Sequence, residues 1–74
     1  MSRQFTKQDA EAKVETWVKT RFARAGIEAG HTGKVVKAEL KEEVWGVVIQ
    51  WDWPRTRHEW FSKDAYEQCI EEVL

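Results

Sequence analysis

Hydrophobic positions change their period along this chain. From Thr6 onward, Ala10, Val14, Trp17, Val18, Phe22 and Ala25 recur at spacings of three and four, the pattern of one apolar helix face. Thr6 suits an N-cap, and Asp9 and Glu11 suit the positive end of the helix dipole. Gly26 fits the left-handed residue after a helix, and Ile27 the hydrophobic contact that closes it. The spacing therefore predicts a helix over Lys7–Ala25.

After Gly30 the period becomes two. A strand is predicted through 34–40, with Val36, Ala38 and Leu40 on one face and Lys37 and Glu39 on the other. Lys41-Glu42-Glu43 must turn the chain, although no Gly, Asn or Pro helps it. The longest β-prone stretch follows, from Trp45 to Pro54. Its odd positions, Trp45, Val47, Ile49, Trp51 and Trp53, share a face predicted to be buried, while Gln50 points out. Pro54 cannot donate a ladder hydrogen bond, so the strand ends near it. Arg55-Thr56-Arg57 reads as an exposed connection, His58–Phe61 as a third strand, and Ser62 as the cap of a short helical turn over 63–69. Residues 71–74 read as a last short strand. The prediction is a mainly β chain forming one domain over 1–74, with a helix at 7–25 and a β unit at 30–74.

Composition narrows the class. A chain of 74 residues buries a modest fraction of its surface and needs large core side chains, which five Trp and three Phe supply. The formal net charge of −1 lacks the basic excess of a general nucleic-acid binder. Charge is nevertheless segregated: residues 1–25 hold six Lys/Arg against three Asp/Glu, and residues 59–74 hold one Lys against five Asp/Glu. Mutual attraction of the two ends within one fold is the plainer account. One cysteine, Cys69, excludes an intramolecular disulfide and fits a reducing compartment. No apolar run approaches the roughly 20 residues that span a bilayer, so a cytoplasmic protein is expected.

The order of elements carries a resemblance. Gly30-x-x-Gly33-x-Val35 leads into a strand, Val47-Val48-Ile49-Gln50-Trp51-Asp52 forms the next, and Trp60-Phe61-Ser62-Lys63-Asp64-Ala65-Tyr66 precedes a closing Glu72-Val73. This resembles the SH3-like barrels of electron-transport accessory proteins, such as photosystem I reaction-centre subunit IV and the variable chain of ferredoxin–thioredoxin reductase. The match covers about Gly30 to Val73. The glycine-bracketed start is also similar, more weakly, to KOW-type nucleic-acid barrels. The resemblance implies an SH3-like small barrel with an added N-terminal α-helix. It also implies a cyanobacterial setting and a non-catalytic role as an accessory module docking on a redox or photosynthetic complex. The motifs belong to turns and core, and they name no site. Two features depart from the pattern: the N-terminal helix, and a loop of only three or four residues where the photosystem subunit has a long one.

Candidate chemistry is sparse. Neither histidine has a serine or cysteine beside it in sequence, so no activated nucleophile is indicated. Asp52 and Glu59 can meet across a hairpin, but exposed carboxylates paired with Arg55 or Arg57 are the simpler reading. His31, His58 and Cys69 lack metal-ligand spacing, and Gly30/Gly33 lacks the Lys-Ser/Thr of a phosphate loop. No catalytic residue, metal or cofactor is expected. The binding candidates are Trp53, Arg55, Arg57 and His58: a large aromatic at the limit of the core, a stiffening proline, then two arginines with no acidic residue between them. Arginine forks suit carboxylates, so an acidic protein partner is the first expectation, and the resemblance points to one in electron transport. Single-stranded nucleic acid stacking on Trp53 is the alternative. Trp53 folding back on the helix to cover the barrel end is the plainer reading of that residue. The apolar helix stripe leaves monomer and weak homodimer both open.

Overall fold

The computed structural model describes residues 4–22, 30–52 and 55–73. Helix α1 spans Lys7–Ala12. Thr6 caps it, its Oγ1 accepting the Asp9 backbone N–H at 3.0 Å. The helix is far shorter than the apolar spacing predicts. Lys13 closes it, and Glu15 adopts φ 77°, a left-handed conformation that ends any helix. The Glu15 N–H then donates to Val35 O at 2.7 Å, so the chain has already joined the sheet.

Strand β1, Trp17–Thr20, replaces the second half of the predicted helix. Burial alternates along it: Val18 and Thr20 are inside, and Trp17 is outside. Val18 satisfies both a helical stripe and a strand face, and pairing on both sides decides the outcome. β1 is antiparallel to β2 (Thr32–Lys41) on one side and to β5 (Ile70–Glu72) on the other. Ala25, Gly26 and Ile27 lie outside the described residues.

β2 and β3 (Val44–Trp51) form a long hairpin. Lys41 pairs with Val44, leaving the two-residue loop Glu42-Glu43 with φ 51° and 65°. Two positive φ values in a two-residue loop make a type I′ turn, which matches the right-handed twist of the strands but favours Asn-Gly. β4 (Arg57–Phe61) pairs with β3. Ser62 caps α2 (Lys63–Cys69), its Oγ accepting the Ala65 N–H at 3.3 Å, and α2 leads directly into β5. The result is a mainly β fold: one five-stranded antiparallel sheet in the order β4-β3-β2-β1-β5. Among the described residues no pairing joins β4 to β5, so the sheet is open.

Val18, Val35, Val47, Ile49, Trp51 and Phe61 form the fully buried inner layer. Phe5, Ala10, Tyr66 and Ile70 close its ends. Each buried Val, Ile or Phe side chain contributes about 1.5–3 kcal/mol by leaving water. Gly33 belongs to this layer for a steric reason: a Cβ there would lie 2.6 Å from the Trp51 ring. Trp45 is half-buried against the core, as its parity with Val47 requires. Phe5 bridges to Trp45 beyond the end of β4 and meets Tyr66 edge-on, centroids 5.8 Å apart. Val36 and Leu40 do not share Ala38's inward environment. A β-bulge between Val35 and Lys37 resets the parity, so Val35 turns inward in place of Val36, and Leu40 sits exposed at the hairpin end.

Candidate functional site

The bulge also builds the outer face of the sheet. Lys34 and Lys37 are three apart and would point to opposite faces of a regular strand. With the extra residue, Lys34 pairs with Gln50 and Lys37 with Val48, both outward positions of β3. Lys37, Glu39 and Lys41 then line up along β2. On β4, His58 pairs with Gln50 and Trp60 with Val48, so these two also face outward. A groove of about 670 Å³ runs across β2, β3 and β4 on this face, with Val36, Lys37, Lys41, Gln50, His58 and Trp60 in its lining.

Trp60 is held in one position. Its Nε1–H donates to Glu39 O at 3.1 Å, across the full width of β3. Gly46 lies beneath the indole; a Cβ at that position would collide with the ring and with Phe61 O. Lys41 Nζ stands 5.5 Å from the ring centroid, within cation–π range. At the groove's edges, Lys37 Nζ pairs with Glu39 at 3.0 Å, and Gln50 Nε2 donates to Asp52 Oδ1 at 3.0 Å. The groove thus offers a fixed aromatic surface, an apolar floor at Val36 and Val48, and two lysines, Lys37 and Lys41, beside the carboxylate of Glu39.

A second cavity of about 320 Å³ lies at the other end of the core, between Phe5, α2 and β5. Here Lys13 Nζ meets Glu72 Oε2 at 2.6 Å, and Tyr66 Oη donates to the same oxygen at 2.9 Å. Those two hydrogen bonds, the ammonium's first, hold the Glu72 carboxyl below the usual carboxylate range. Burial, then the bond to Glu72, pushes the Tyr66 hydroxyl far above its ordinary value. A tyrosine kept protonated is a poor base and a poor nucleophile. The cluster works as a strut tying α1, α2 and β5 together. Among the described residues no group of three His, Cys, Asp or Glu converges as a metal site would require.

The residues singled out in the sequence do not all meet. Trp53 lies outside the described residues. Arg55 is exposed in the β3–β4 connection. Arg57 and His58 are successive in β4 and so take opposite faces: Arg57 is registered with buried Trp51, His58 with outward Gln50. His58 alone of the three described joins the groove. Trp60 stands on the outer face. The alternation His58-x-Trp60 held that information, but only once Phe61 was known to be the inward residue. Asp52 accepts from Gln50, and Glu59 is registered with Ile49, so these carboxylates form no dyad. No family model, curated protein or solved structure matches the chain. Among the described residues no helix is long and apolar enough to cross a membrane.

Proposed function

We propose that this chain is a non-catalytic protein-binding module, an SH3-like small barrel that engages its partner through the groove of β2, β3 and β4. The strand order, with β5 beside β1 and a short helix between β4 and β5, supports the SH3-like reading. The observation that carries the functional reading is Trp60, pinned over Gly46 by its bond to Glu39 O and lining an open groove. An aromatic whose rotamer is already fixed loses little entropy on contact, which is what makes tryptophan prominent in protein hot spots. The mixed polar rim around an apolar floor is the anatomy of such an interface. The family resemblance, by itself, points the partner toward an electron-transport assembly.

A nucleic-acid partner is the second reading, because Lys41 and Trp60 together make a stacking site beside a cation. Only two lysines line the groove, and one of them, Lys37, already pairs with Glu39, which favours protein over phosphate backbone. The test is affinity capture with the wild-type chain and with His58→Glu/Gln50→Glu, two substitutions on the groove rim, after nuclease treatment. A protein retained by the wild type and lost by the variant supports the reading. Equal retention by both places the contact surface elsewhere.

A further inference from the structure

We infer that the groove takes an extended acidic segment of the partner protein, with one of its carboxylates meeting Lys41 beside Trp60. This rests on the groove being the contact surface. Four lysines stand on the outer face of the sheet, and three of them already have carboxylates: Lys19 with Glu71 at 3.7 Å, Lys34 with Glu15 at 2.5 Å and Lys37 with Glu39 at 3.0 Å. Lys41 differs. Among the described residues no carboxylate lies within 4.0 Å of its ammonium, which rests over the Trp60 indole instead. The groove's own carboxylate, Glu39, already holds Lys37, and Glu59 is registered with inward Ile49 on the opposite face of the sheet. An incoming carboxylate therefore gains Lys41 without displacing an existing ion pair, and it gains a charge-assisted hydrogen bond.

The same inventory sets the spacing of charge in the ligand. One ammonium without a carboxylate beside a fixed ring suits an isolated acidic residue next to an apolar one. A phosphate backbone would ask for several unpaired cations in a row. Val36 and Val48 lie between the Lys41/Trp60 side and the Gln50/His58 side. A strand-like segment alternates its side chains, so it can place apolar residues on that floor and acidic ones toward the rim.

The test uses the full chain, isotopically labelled, and follows its backbone amides by NMR. Three probes are titrated separately: a short peptide alternating glutamate and valine, the same peptide with lysine for glutamate, and an oligothymidylate. The expected result is that the acidic peptide moves amides within 36–41, 48–50 and 58–60. Its affinity should fall about tenfold in Lys41→Gln, the lower end of what one hydrogen bond to a charged group contributes, and stay unchanged in Lys63→Gln on α2. Equal movement of the groove amides by both peptides, with no effect of Lys41→Gln, would overturn the acidic assignment and leave the groove as the contact surface. Movement only outside the groove, or none with either peptide, would overturn both. Tighter groove binding by oligothymidylate would transfer the site to nucleic acid.

Discussion

β3 and β1 each lie between two hydrogen-bonded neighbours; β1 carries Trp17, and β3 carries Trp45 and Trp51. Trp51 in β3 is 1 % exposed, while Trp17 in β1 is 52 % exposed. Residue type does not separate them; parity and cover do. β3 turns Val47, Ile49 and Trp51 toward an interior filled by Val35 and Phe61. β1 gives Val18 and Thr20 to that interior and leaves Trp17 on the outer face, where Lys34 Nζ stands 5.3 Å from its ring. Trp60 is a third case: it stands on the outer face, yet it is immobilised by a hydrogen bond and a glycine beneath it. Three of the sheet's indoles thus serve as filler, as a surface residue and as a fixed contact.

The sharpest way to break the comparison is to empty β3. Ile49→Ala should cost about 2–5 kcal/mol, as large-to-small changes in a packed core do. Urea unfolding measures it. A cost near that of a surface change would mean that the inner and outer faces of β3 are exchanged.

Gly46→Ala tests how Trp60 is fixed. A methyl group there meets the indole and Phe61 O, so the ring must move and its bond to Glu39 must stretch or break. The expected loss is about 1–3 kcal/mol, typical of overpacking. A shift in tryptophan fluorescence should accompany it. Unchanged stability and emission would show that Trp60 is not seated over Gly46.

Glu42→Asn/Glu43→Gly should act in the opposite direction. Each non-glycine residue in a left-handed conformation costs roughly 1–2 kcal/mol, and the type I′ turn requires two of them. Asn-Gly suits both positions, so the hairpin that delivers β3 should gain about 1–2 kcal/mol. The midpoint of thermal unfolding reports it. A loss would mean that the two glutamate side chains contribute something at the tip that the backbone geometry does not reveal.

Legibility followed the length of each regular pattern. β3 offered eight residues whose odd positions are all apolar, so its inward face could be assigned from Val47, Ile49 and Trp51. α2 carried its own cap in Ser62. β1 has only four residues, and Val18 lies on the same side of a helix as Val14 and Phe22. What excludes the helix there is pairing to β2 and β5, which are distant in sequence. The bulge at Val36 was hidden for the same reason: a bulge is a mismatch between two strands, and neither strand alone reports it. Because the bulge sets the outward row Lys37, Glu39 and Lys41, the groove was the least visible part of the chain. His58 was the one groove residue that sequence singled out.

Trp17→Ala sharpens the contrast from the other side. A tryptophan packed in a helix–core interface would cost about 3–5 kcal/mol on truncation. An outward residue of a strand should cost no more than about 1 kcal/mol, covering strand preference and the contact with Lys34. Urea unfolding beside Ile49→Ala compares the two strands directly. A cost similar to that of Ile49→Ala would place Trp17 in an interface.

The smallest expected effect concerns how β1 is held by β5, and it appears as a pH dependence. Glu72 pairs with Val18 in the ladder, and its carboxylate accepts from Lys13 and Tyr66. Those partners lower its folded pKa beneath the unfolded value of about 4.3. A depressed carboxyl stabilises the fold fully above the unfolded pKa, and that contribution is lost as pH falls through the folded one. Tyr66 has the opposite sign. Its folded pKa is raised, so its contribution is complete below the unfolded value of about 10 and is lost as pH rises through the folded one. The Glu72 side chain is 41 % exposed, and solvent screening keeps its effect small. Thermal unfolding from pH 6 down to pH 3 should show a shallow decline that Glu72→Gln flattens, with Glu71→Gln as the neighbouring control. Glu71 faces outward toward Lys19 and Arg21 at 3.7 and 3.9 Å, looser pairs than the 2.6 Å contact to Lys13. A steeper loss of the acid slope in Glu71→Gln would transfer the coupling of β5 to β1 from the Lys13–Glu72–Tyr66 strut to the outer face of the sheet.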